Sequence, residues 1–455
     1  MLIRTTQARN KAVIGIIIIG SAILGVAFHF LAQSAINLPE SLIFIFPLSE
    51  RISLGLFALS ASMLILALIK WAVRHKISRG LKYSLQHAKL LRSINKDLAE
   101  AESRYSLLDG HGQAKLIRLP KIKLELSKNL KSGTLKIKNH ILHSKVYDNA
   151  DWSSCLGKFI VDSKYFSNDS NFLILEIINT KFMKKKVFSS IEEFCRFSEK
   201  FGDNELFIDE YNKMPTAHTL ISAISGGGKS YALYNLCMQL LLKRTKPVLW
   251  FIDVKGSDLA AMGRAVAEDR TADSVEGAVE LIERFAVAMN DRKPLLQEKL
   301  KQNFSASASD FGEEFSSNYL IFDEYGSFVN SISTLPKAER DSVAKNLRNI
   351  ALLGRQLSFI FFCCIQQANA QTLTSDIRDQ FGNVMTLGNS QASTLIVAFG
   401  NGHGLPDKNF LPGEGFLKTV DNARIRTCNF PRLDFNVTDG VRSIVELGCC
   451  NTPAT

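Results

Sequence analysis

A short glycine-rich stretch near the middle of the chain constrains the fold more than any other sequence feature. Its sequence, Ala223-Ile-Ser-Gly-Gly-Gly-Lys-Ser230, satisfies the pattern GxxxxGK[ST] at every position except the first glycine. An apolar segment precedes it at residues 218–224, and a segment with helical spacing follows at 231–242. The stretch is therefore predicted to form a tight turn between a buried strand and a helix, with backbone N–H groups directed at phosphate oxygens.

The residue types in this turn suit a nucleotide. Lys229 can reach the β and γ phosphates, and the Ser230 hydroxyl can bind Mg²⁺, so ATP and Mg²⁺ are the expected cofactors. Ala223 replaces the first glycine, and an alanine there can still form the loop if its φ is negative. The alternative is a structural glycine turn without a ligand. The residues expected to contact nucleotide are Ser225, Gly226, Gly227, Gly228, Lys229, Ser230 and Tyr231.

Three further apolar segments end in polar residues, in the order that a nucleotide-hydrolysing site requires. Residues 247–253 end at Asp253, residues 318–324 end at the pair Asp323-Glu324, and residues 359–365 are followed by Gln366. Asp323 is expected to hold Mg²⁺, Glu324 to polarise the attacking water, and Gln366 to sense the γ-phosphate. A helical pattern from 275 to 289 lies between two of these strands, with Asp273 and Ser274 as candidate caps.

This alternation of strands and helices predicts an α/β domain with a doubly wound, mostly parallel sheet. In such a sheet the nucleotide binds at the carboxyl ends of the strands.

The N-terminal part has a different character. Residues 12–32 and 52–69 contain no formal charge, and each is near the length of a helix that crosses about 30 Å of hydrocarbon. Basic residues flank the outer ends of the pair, whereas the connecting loop holds only Glu40, Glu50 and Arg51. By the positive-inside rule we expect a multi-pass hairpin with both ends in the cytoplasm, and an apolar stretch at 41–48 along the interface. The alternatives are a signal peptide or two buried core helices.

The net charge of +11 is concentrated in one segment. Residues 70–150 carry 18 basic and 6 acidic side chains, and the rest of the chain is close to neutral. This segment begins with a helical pattern at 74–107, whose apolar stripe starts at Ile77, Leu81 and Leu85. Its charge suits anionic lipid, a DNA backbone or a solvated helix face. Strands are predicted at 121–126, 134–138, 171–178 and 182–188, in a small β-containing domain that ends near Phe201. The eight cysteines contain no CxxC pair and suggest neither a zinc site nor a redox motif.

Taken in order, these motifs resemble the FtsK/SpoIIIE motor family over residues of about 205–430. The motifs that carry the resemblance are Lys213-Met-Pro215, the phosphate-binding loop, Asp253-Val-Lys255, Met289-Asn-Asp-Arg292, Asp323-Glu324, Gly354-Arg355 followed by Gln366, Ile377-Arg378 through Gly382-Asn383, Leu387-Gly-Asn389, Gly400 and Pro412-Gly-Glu-Gly415-Phe416. Val254 stands in place of the proline of the family's D-P-K motif, and Gln367 where an arginine often follows the glutamine.

The resemblance implies a RecA-like P-loop ATPase that works as a hexamer on DNA. It implies that Arg355 reaches the nucleotide of a neighbouring subunit, making Glu324, Gln366 and Arg355 the expected catalytic residues. Two spans, and the absence of a winged-helix domain after the motor, are similar to the single-motor, Tcp-type coupling proteins of conjugative elements. The expected domains are an anchor at 1–73, a basic helix and β-rich domain at 74–201, the motor at 202–433 and a tail at 434–455.

The leading hypothesis is therefore a membrane ATPase with a cytoplasmic motor that delivers DNA to a conjugative channel. Its expected partners are DNA, membrane lipid, further copies of itself, a relaxase and channel proteins. Alternatives are chromosome or plasmid segregation, protein export, and a docking receptor without ATPase activity.

Overall fold

A computed structural model describes residues 6–35, 45–105, 119–140, 152–182, 184–301, 303–304, 308–369, 372–400, 405 and 408–449. Its internal contacts divide the chain into two compact units, Met1–Met183 and Lys184–Thr455.

The first unit begins with two long helices, α1 (Thr6–Ala35) and α2 (Ile45–Arg74), which pack against each other. The Ser53 hydroxyl donates to the carbonyl of Gly25 (2.9 Å), and the Ser60 hydroxyl donates to the carbonyl of Ile18 (3.2 Å). Both helices are long and apolar enough to span a membrane, so the two uncharged segments are helical as predicted. Part of the apolar stretch at 41–48 lies outside the described residues, and its remainder opens α2.

The basic segment contains a sharp joint rather than one continuous helix from residue 74. α2 ends at Arg74, Lys76 and Gly80 have positive φ, and α3 spans Leu81–Tyr105. The predicted apolar stripe is wrong at its start, because Ile77, Leu81 and Leu85 are exposed. Among the side chains that α3 buries are Tyr83, His87, Leu90, Leu91, Ile94 and Leu98. In the first turns of α3 the buried face includes Tyr83 and His87, which a stripe of aliphatic residues leaves out.

α3 packs on a four-stranded antiparallel sheet whose strand order is β1-β2-β4-β3. The strands are β1 (Ile122–Leu126), β2 (Ser132–Lys138), β3 (Phe159–Phe166) and β4 (Phe172–Asn179), and a short helix, α4 (Trp152–Leu156), precedes β3. The sequence pattern missed β3 because three consecutive residues, Val161, Asp162 and Ser163, are buried around a register shift. The predicted strand at 182–188 is wrong over most of its length, since among the described residues of this range only Val187–Phe188 form a strand.

The second unit is built on an eight-stranded sheet with the order β10-β9-β11-β12-β8-β13-β14-β15. The pairings from β10 to β13 are parallel, and β14 and β15 add to the β13 edge in antiparallel fashion. The strands of this unit are β5 (Val187–Phe188), β6 (Glu205–Phe207), β7 (Lys213–Pro215), β8 (Thr219–Ala223), β9 (Val248–Asp253), β10 (Thr271–Ala272), β11 (Asn318–Asp323), β12 (Phe359–Ile365), β13 (Asn383–Leu387), β14 (Glu414–Thr419), β15 (Asn422–Asn429) and β16 (Arg432–Leu433).

Helices cover both faces of this sheet. They are α5 (Ile191–Ser198), α6 (Lys229–Leu241), α7 (Asp258–Ala267), α8 (Val275–Leu300), α9 (Tyr325–Ser331), α10 (Lys337–Leu357), α11 (Ser375–Arg378), α12 (Ala392–Phe399) and α13 (Val437–Cys449). Alternate residues of β11 enter opposite cores, Leu320 and Phe322 on the side of α8 and α10, and Tyr319 and Ile321 on the side of α6 and α7. The predicted α/β fold with a doubly wound, mostly parallel sheet is therefore confirmed.

The boundary between the units lies earlier than residue 201. β5 pairs with β16, and Phe194 of α5 is buried in the core that α6 and α7 share. Residues 184–201 therefore pack with the second unit and not with the small β-rich domain to which the sequence pattern assigned them.

Candidate active site

A cleft with a volume of about 600 Å³ opens at the carboxyl ends of β8, β9, β11 and β12. The side chains that line it come from the four loops that follow these strands and from the turn before β14. They are Ala223, Ile224, Ser225, Gly226, Gly228, Lys229, Ser230, Tyr231, Tyr234, Lys255, Ser257, Asp258, Asp323, Glu324, Gln366 and Pro412. Parallel strands place their carboxyl ends at one edge, so segments far apart in sequence meet in this cleft.

The glycines of the loop allow another segment to approach it closely. Gly228 has a φ of 95° and caps α6, and a Cβ there would lie 2.4 Å from the amide nitrogen of Gly413. That amide donates to the carbonyl of Gly227 at 2.8 Å. The predicted motif at 412–415 is thus packed on the phosphate-binding loop. Of the seven expected nucleotide residues, six line the cleft and Gly227 does not.

Ala223 is the last residue of β8 and pairs with Leu387 of β13. It is buried and extended, and it is not among the described residues with positive φ. An alanine is therefore compatible with the loop, since the positive φ angles fall later, at Gly226 and Gly228.

The central charges of the cleft form a cluster. The Lys229 ammonium lies 2.5 Å from Asp323 Oδ1 and 3.3 Å from Glu324 Oε2. Burial is the largest single influence on the pKa of Lys229 and lowers it, but the charge and hydrogen bond of Asp323, together with smaller contributions that include the charge of Glu324, outweigh burial and raise that pKa above its ordinary value. Lys229 is therefore a fully charged cation at the floor of the cleft, held by the two carboxylates that the sequence predicted beside it.

Glu324 has an unusual backbone. Its φ of 56° and ψ of 49° are left-handed, in a region that costs a residue with a Cβ roughly 1–2 kcal/mol. It is buried between the end of β11 and the first turn of α9, where its carbonyl accepts from the amides of Ser327 and Phe328. The strain turns the chain sharply after Asp323, so both carboxylates reach the same cleft.

Lys255 is a cleft residue to which the sequence analysis gave no role. Its ammonium lies 3.4 Å from Glu324 Oε2. The sequence shows that Lys255 follows the apolar segment 247–253, but its place beside Glu324 depends on β9 being the parallel neighbour of β11, with Asp253 opposite Asp323. Tyr234, Ser257 and Asp258 also line the cleft, and no sequence motif marks them.

The remaining predicted site residues lie in two different places. Gln366 follows β12 and lines the cleft with Ser230 and Asp323. These last two side chains supply oxygen atoms, the ligand type that Mg²⁺ prefers, so the cleft fits a nucleotide with its metal. Arg355 is exposed near the end of α10, before β12 begins, and it does not line the cleft of its own chain.

Comparisons with known proteins agree with this geometry. The model of the FtsK/SpoIIIE family matches residues 184–392. A Bacillus subtilis (strain 168) protein, the FtsK domain-containing protein YdcQ, is 24% identical over 195 residues, which is 42% of this chain and 38% of that protein. The matched stretch thus spans well under half of the curated relative.

Two solved structures are similar. The conjugation coupling protein TcpA of pCW3, in its monomer form with ATPγS, has a TM-score of 0.50 and 14% identity, and the match covers 78% of this chain and 99% of that one. The cytoplasmic domain of the Thermomonospora curvata type VII secretion ATPase EccC has a TM-score of 0.38 and 18% identity. That match covers 51% of this chain and 28% of the EccC chain. The resemblance seen in the sequence is confirmed: residues 184–392 match the FtsK/SpoIIIE family, and the domain that they form has the fold and the phosphate-binding loop of a P-loop ATPase.

Proposed function

We propose that this chain is a membrane-anchored, hexameric, ATP-driven DNA translocase that delivers DNA to a conjugative channel. The observation that carries the proposal is the cleft, where Lys229, Asp323 and Glu324 converge at the carboxyl ends of parallel strands in an FtsK/SpoIIIE-family domain. Such a cluster is suited to phosphoryl transfer, which depends mainly on positioning and on charge stabilisation.

Each residue of the cleft then has a task. When bound, ATP and Mg²⁺ supply the phosphoanhydride and the metal charge. Lys229 would bind the phosphates, and Ser230 and Asp323 would hold the metal. Glu324 accepts a proton from the attacking water, and Gln366 contacts the γ-phosphate.

The two N-terminal helices support a membrane anchor. Large apolar side chains are exposed along their length, for example Ile16 (69%), Leu54 (65%) and Leu66 (65%). Such a surface is unfavourable in water and suits hydrocarbon, in which a helix also satisfies its own backbone hydrogen bonds. Basic residues outside both apolar segments favour a multi-pass anchor with the ATPase domain in the cytoplasm.

Conjugative DNA transfer is supported by the extent of one structural likeness. The similarity to the TcpA coupling protein covers 78% of this chain and nearly all of that structure. The positive charge of residues 70–150 suits a polyanion or an anionic lipid surface close to the membrane. A relaxase and the channel proteins are the further partners expected of such a motor.

The test measures ATP hydrolysis by the full chain in detergent, with and without DNA, beside a Lys229→Ala variant. We expect DNA to stimulate hydrolysis, the stimulation to fall with rising salt, and the variant to be inactive, because its loop lacks the ammonium that binds phosphate. Lys299→Ala is the matched control, since Lys299 is an ion-paired lysine (2.8 Å from Glu314) that does not line the cleft.

The outcomes separate the alternatives. Hydrolysis indifferent to DNA would refute the DNA motor and favour protein export, whereas no hydrolysis would favour a docking receptor. If DNA stimulates hydrolysis, conjugation predicts that Lys229→Ala abolishes transfer of the element between cells without disturbing chromosome segregation.

A further inference from the structure

The wall of the cleft holds a second lysine close to Glu324. Glu324 Oε2 lies 3.3 Å from the ammonium of Lys229 and 3.4 Å from that of Lys255. The Glu324 side chain is only 7% exposed, whereas that of Lys255 is 48% exposed and faces the cleft. One carboxylate oxygen is thus shared by two cations. The proposed function gives a role to Lys229 but not to Lys255.

The backbone of Lys255 is fixed by a buried carboxylate. Asp253 Oδ1 accepts from the amide of Lys255 (3.2 Å), and Oδ2 accepts from the amide and hydroxyl of Ser257 (2.9 and 2.8 Å) and from the amide of Ala260 (3.2 Å). Gly256, with a φ of 61°, closes the turn through its amide to the Asp253 carbonyl (2.8 Å). The Asp253 carboxylate therefore links the end of β9 to the start of α7 and fixes the backbone of Lys255 beside the cleft.

The two lysines are not equivalent once nucleotide binds. Lys229 belongs to the phosphate-binding loop, and contact with the phosphates takes its ammonium away from Glu324. Lys255 belongs to the loop after β9 and is not part of the phosphate-binding loop, so nucleotide binding does not require it to move. It then remains as the cation that restrains Oε2, leaving the other oxygen of Glu324 to accept a proton from water.

We propose that Lys255 is a positioning residue for Glu324, which holds the catalytic carboxylate in place through an ion pair while Lys229 engages the phosphates. The proposal rests on the ATPase activity of the proposed function but does not depend on DNA. It differs from two other roles for a lysine in this cleft, direct binding of the nucleotide phosphates and restraint of Glu324 in an inactive position.

The experiment compares Lys255→Met and Lys255→Arg with the wild-type full chain in detergent, in the absence of DNA. We expect Lys255→Met to lower kcat by about 10- to 100-fold while KM changes by less than roughly threefold, a loss below the full value of a general base. Lys255→Arg keeps a cation within reach of Oε2 and should recover most of the activity. Lys299→Met, at the Glu314 ion pair outside the cleft, is the matched control and should leave both constants unchanged.

A binding measurement completes the test. We expect Lys255→Met to bind fluorescent ADP as tightly as the wild type and to bind Mg-ADP-aluminium fluoride, a mimic of the reacting phosphate, at least about tenfold more weakly. Equal losses for both ligands would instead indicate a phosphate-binding lysine, and unchanged or faster turnover would indicate an inhibitory restraint; either result overturns the proposal. A wild-type chain without turnover would also overturn it, whereas basal turnover without DNA stimulation would refute only the DNA motor.

Discussion

Ala223 stands where a phosphate-binding loop usually carries its first glycine, and its backbone explains why alanine suffices. The residue closes β8 in an extended conformation, so the loop does not use the freedom that a glycine would supply there. Glycine is needed further along the loop, at Gly228, where positive φ and contact with Gly413 leave no space for a Cβ.

Restoring the glycine should therefore not help the enzyme. We expect Ala223→Gly to leave ATP turnover within about twofold of the wild type and to lower the free energy of unfolding by roughly 0.5–1 kcal/mol, because glycine in a strand loses more backbone entropy on folding. Gly228→Ala is the contrasting change and should abolish turnover. ATP turnover and denaturant unfolding are measured on the same samples. A several-fold gain in turnover from Ala223→Gly would contradict the extended geometry.

At the scale of secondary-structure elements, the sequence predicted the motor better than the small domain. Three strands of the parallel sheet, β9, β11 and β12, are apolar runs that end in or are followed by a recognisable polar residue, and all seven residues of β12 are buried. β3 carries no such signal, because its burial is irregular around a bulge. The joint at Lys76–Gly80 was missed because periodicity reports a helical face and not where one helix stops and another starts.

The candidate site shows the same limit. Lys229, Asp323, Glu324 and Gln366 could be named because each belongs to a spaced motif. The ion pair of Lys255 with Glu324 could not, since it depends on which strands are neighbours, and the order β9-β11-β12-β8 does not follow the order of the chain. The strain at Glu324 is likewise a property of the fold and not of its residue type.

The seam between α10 and the sheet contains a titratable group, His218. Its Nδ1 accepts from the amide of Phe361 at 2.9 Å, and Gly354 lets α10 approach so closely that a Cβ there would lie 2.3 Å from the carbonyl of Phe359. Burial, and secondarily the positive charge of Arg355, lowers the pKa of His218 from 6.5 to about 4. The folded protein therefore favours the neutral form of the His218 ring.

This shift predicts a pH-dependent stability. The unfolded chain takes up a proton near pH 6.5 and the folded chain only near pH 4, so the free energy of unfolding should fall as the pH is lowered through this window, by up to roughly 3 kcal/mol. His218→Asn keeps an acceptor for Phe361 without titrating, so it should lose less stability than the wild type between pH 7.5 and pH 5 in denaturant unfolding. Equal losses in the two proteins would assign the pH dependence to other groups.

At the scale of the whole molecule, the position of Arg355 bears on assembly. Arg355 lies on the surface of α10, which ends before β12 starts, whereas the cleft is at the opposite end of β12. A side chain at the amino-terminal edge of the sheet does not serve the nucleotide of its own chain. In a closed ring with head-to-tail contacts, one edge of each subunit meets a different edge of the next, so Arg355 can complete a neighbour's cleft.

A ring of this kind predicts complementation between two inactive variants. Lys229→Ala and Arg355→Ala should each be nearly inactive alone, and the co-expressed, co-purified mixture should recover about a quarter of wild-type ATP turnover. In a random mixture a cleft with intact Lys229 meets a neighbour with intact Arg355 at about one interface in four. Arg348→Ala is the matched control, because Arg348 lies on the same helix in an ion pair with Asp376 (3.0 Å), and it should be active alone. If the mixture stays inactive although both variants are shown to be in the same particles, Arg355 acts within its own chain or only in folding.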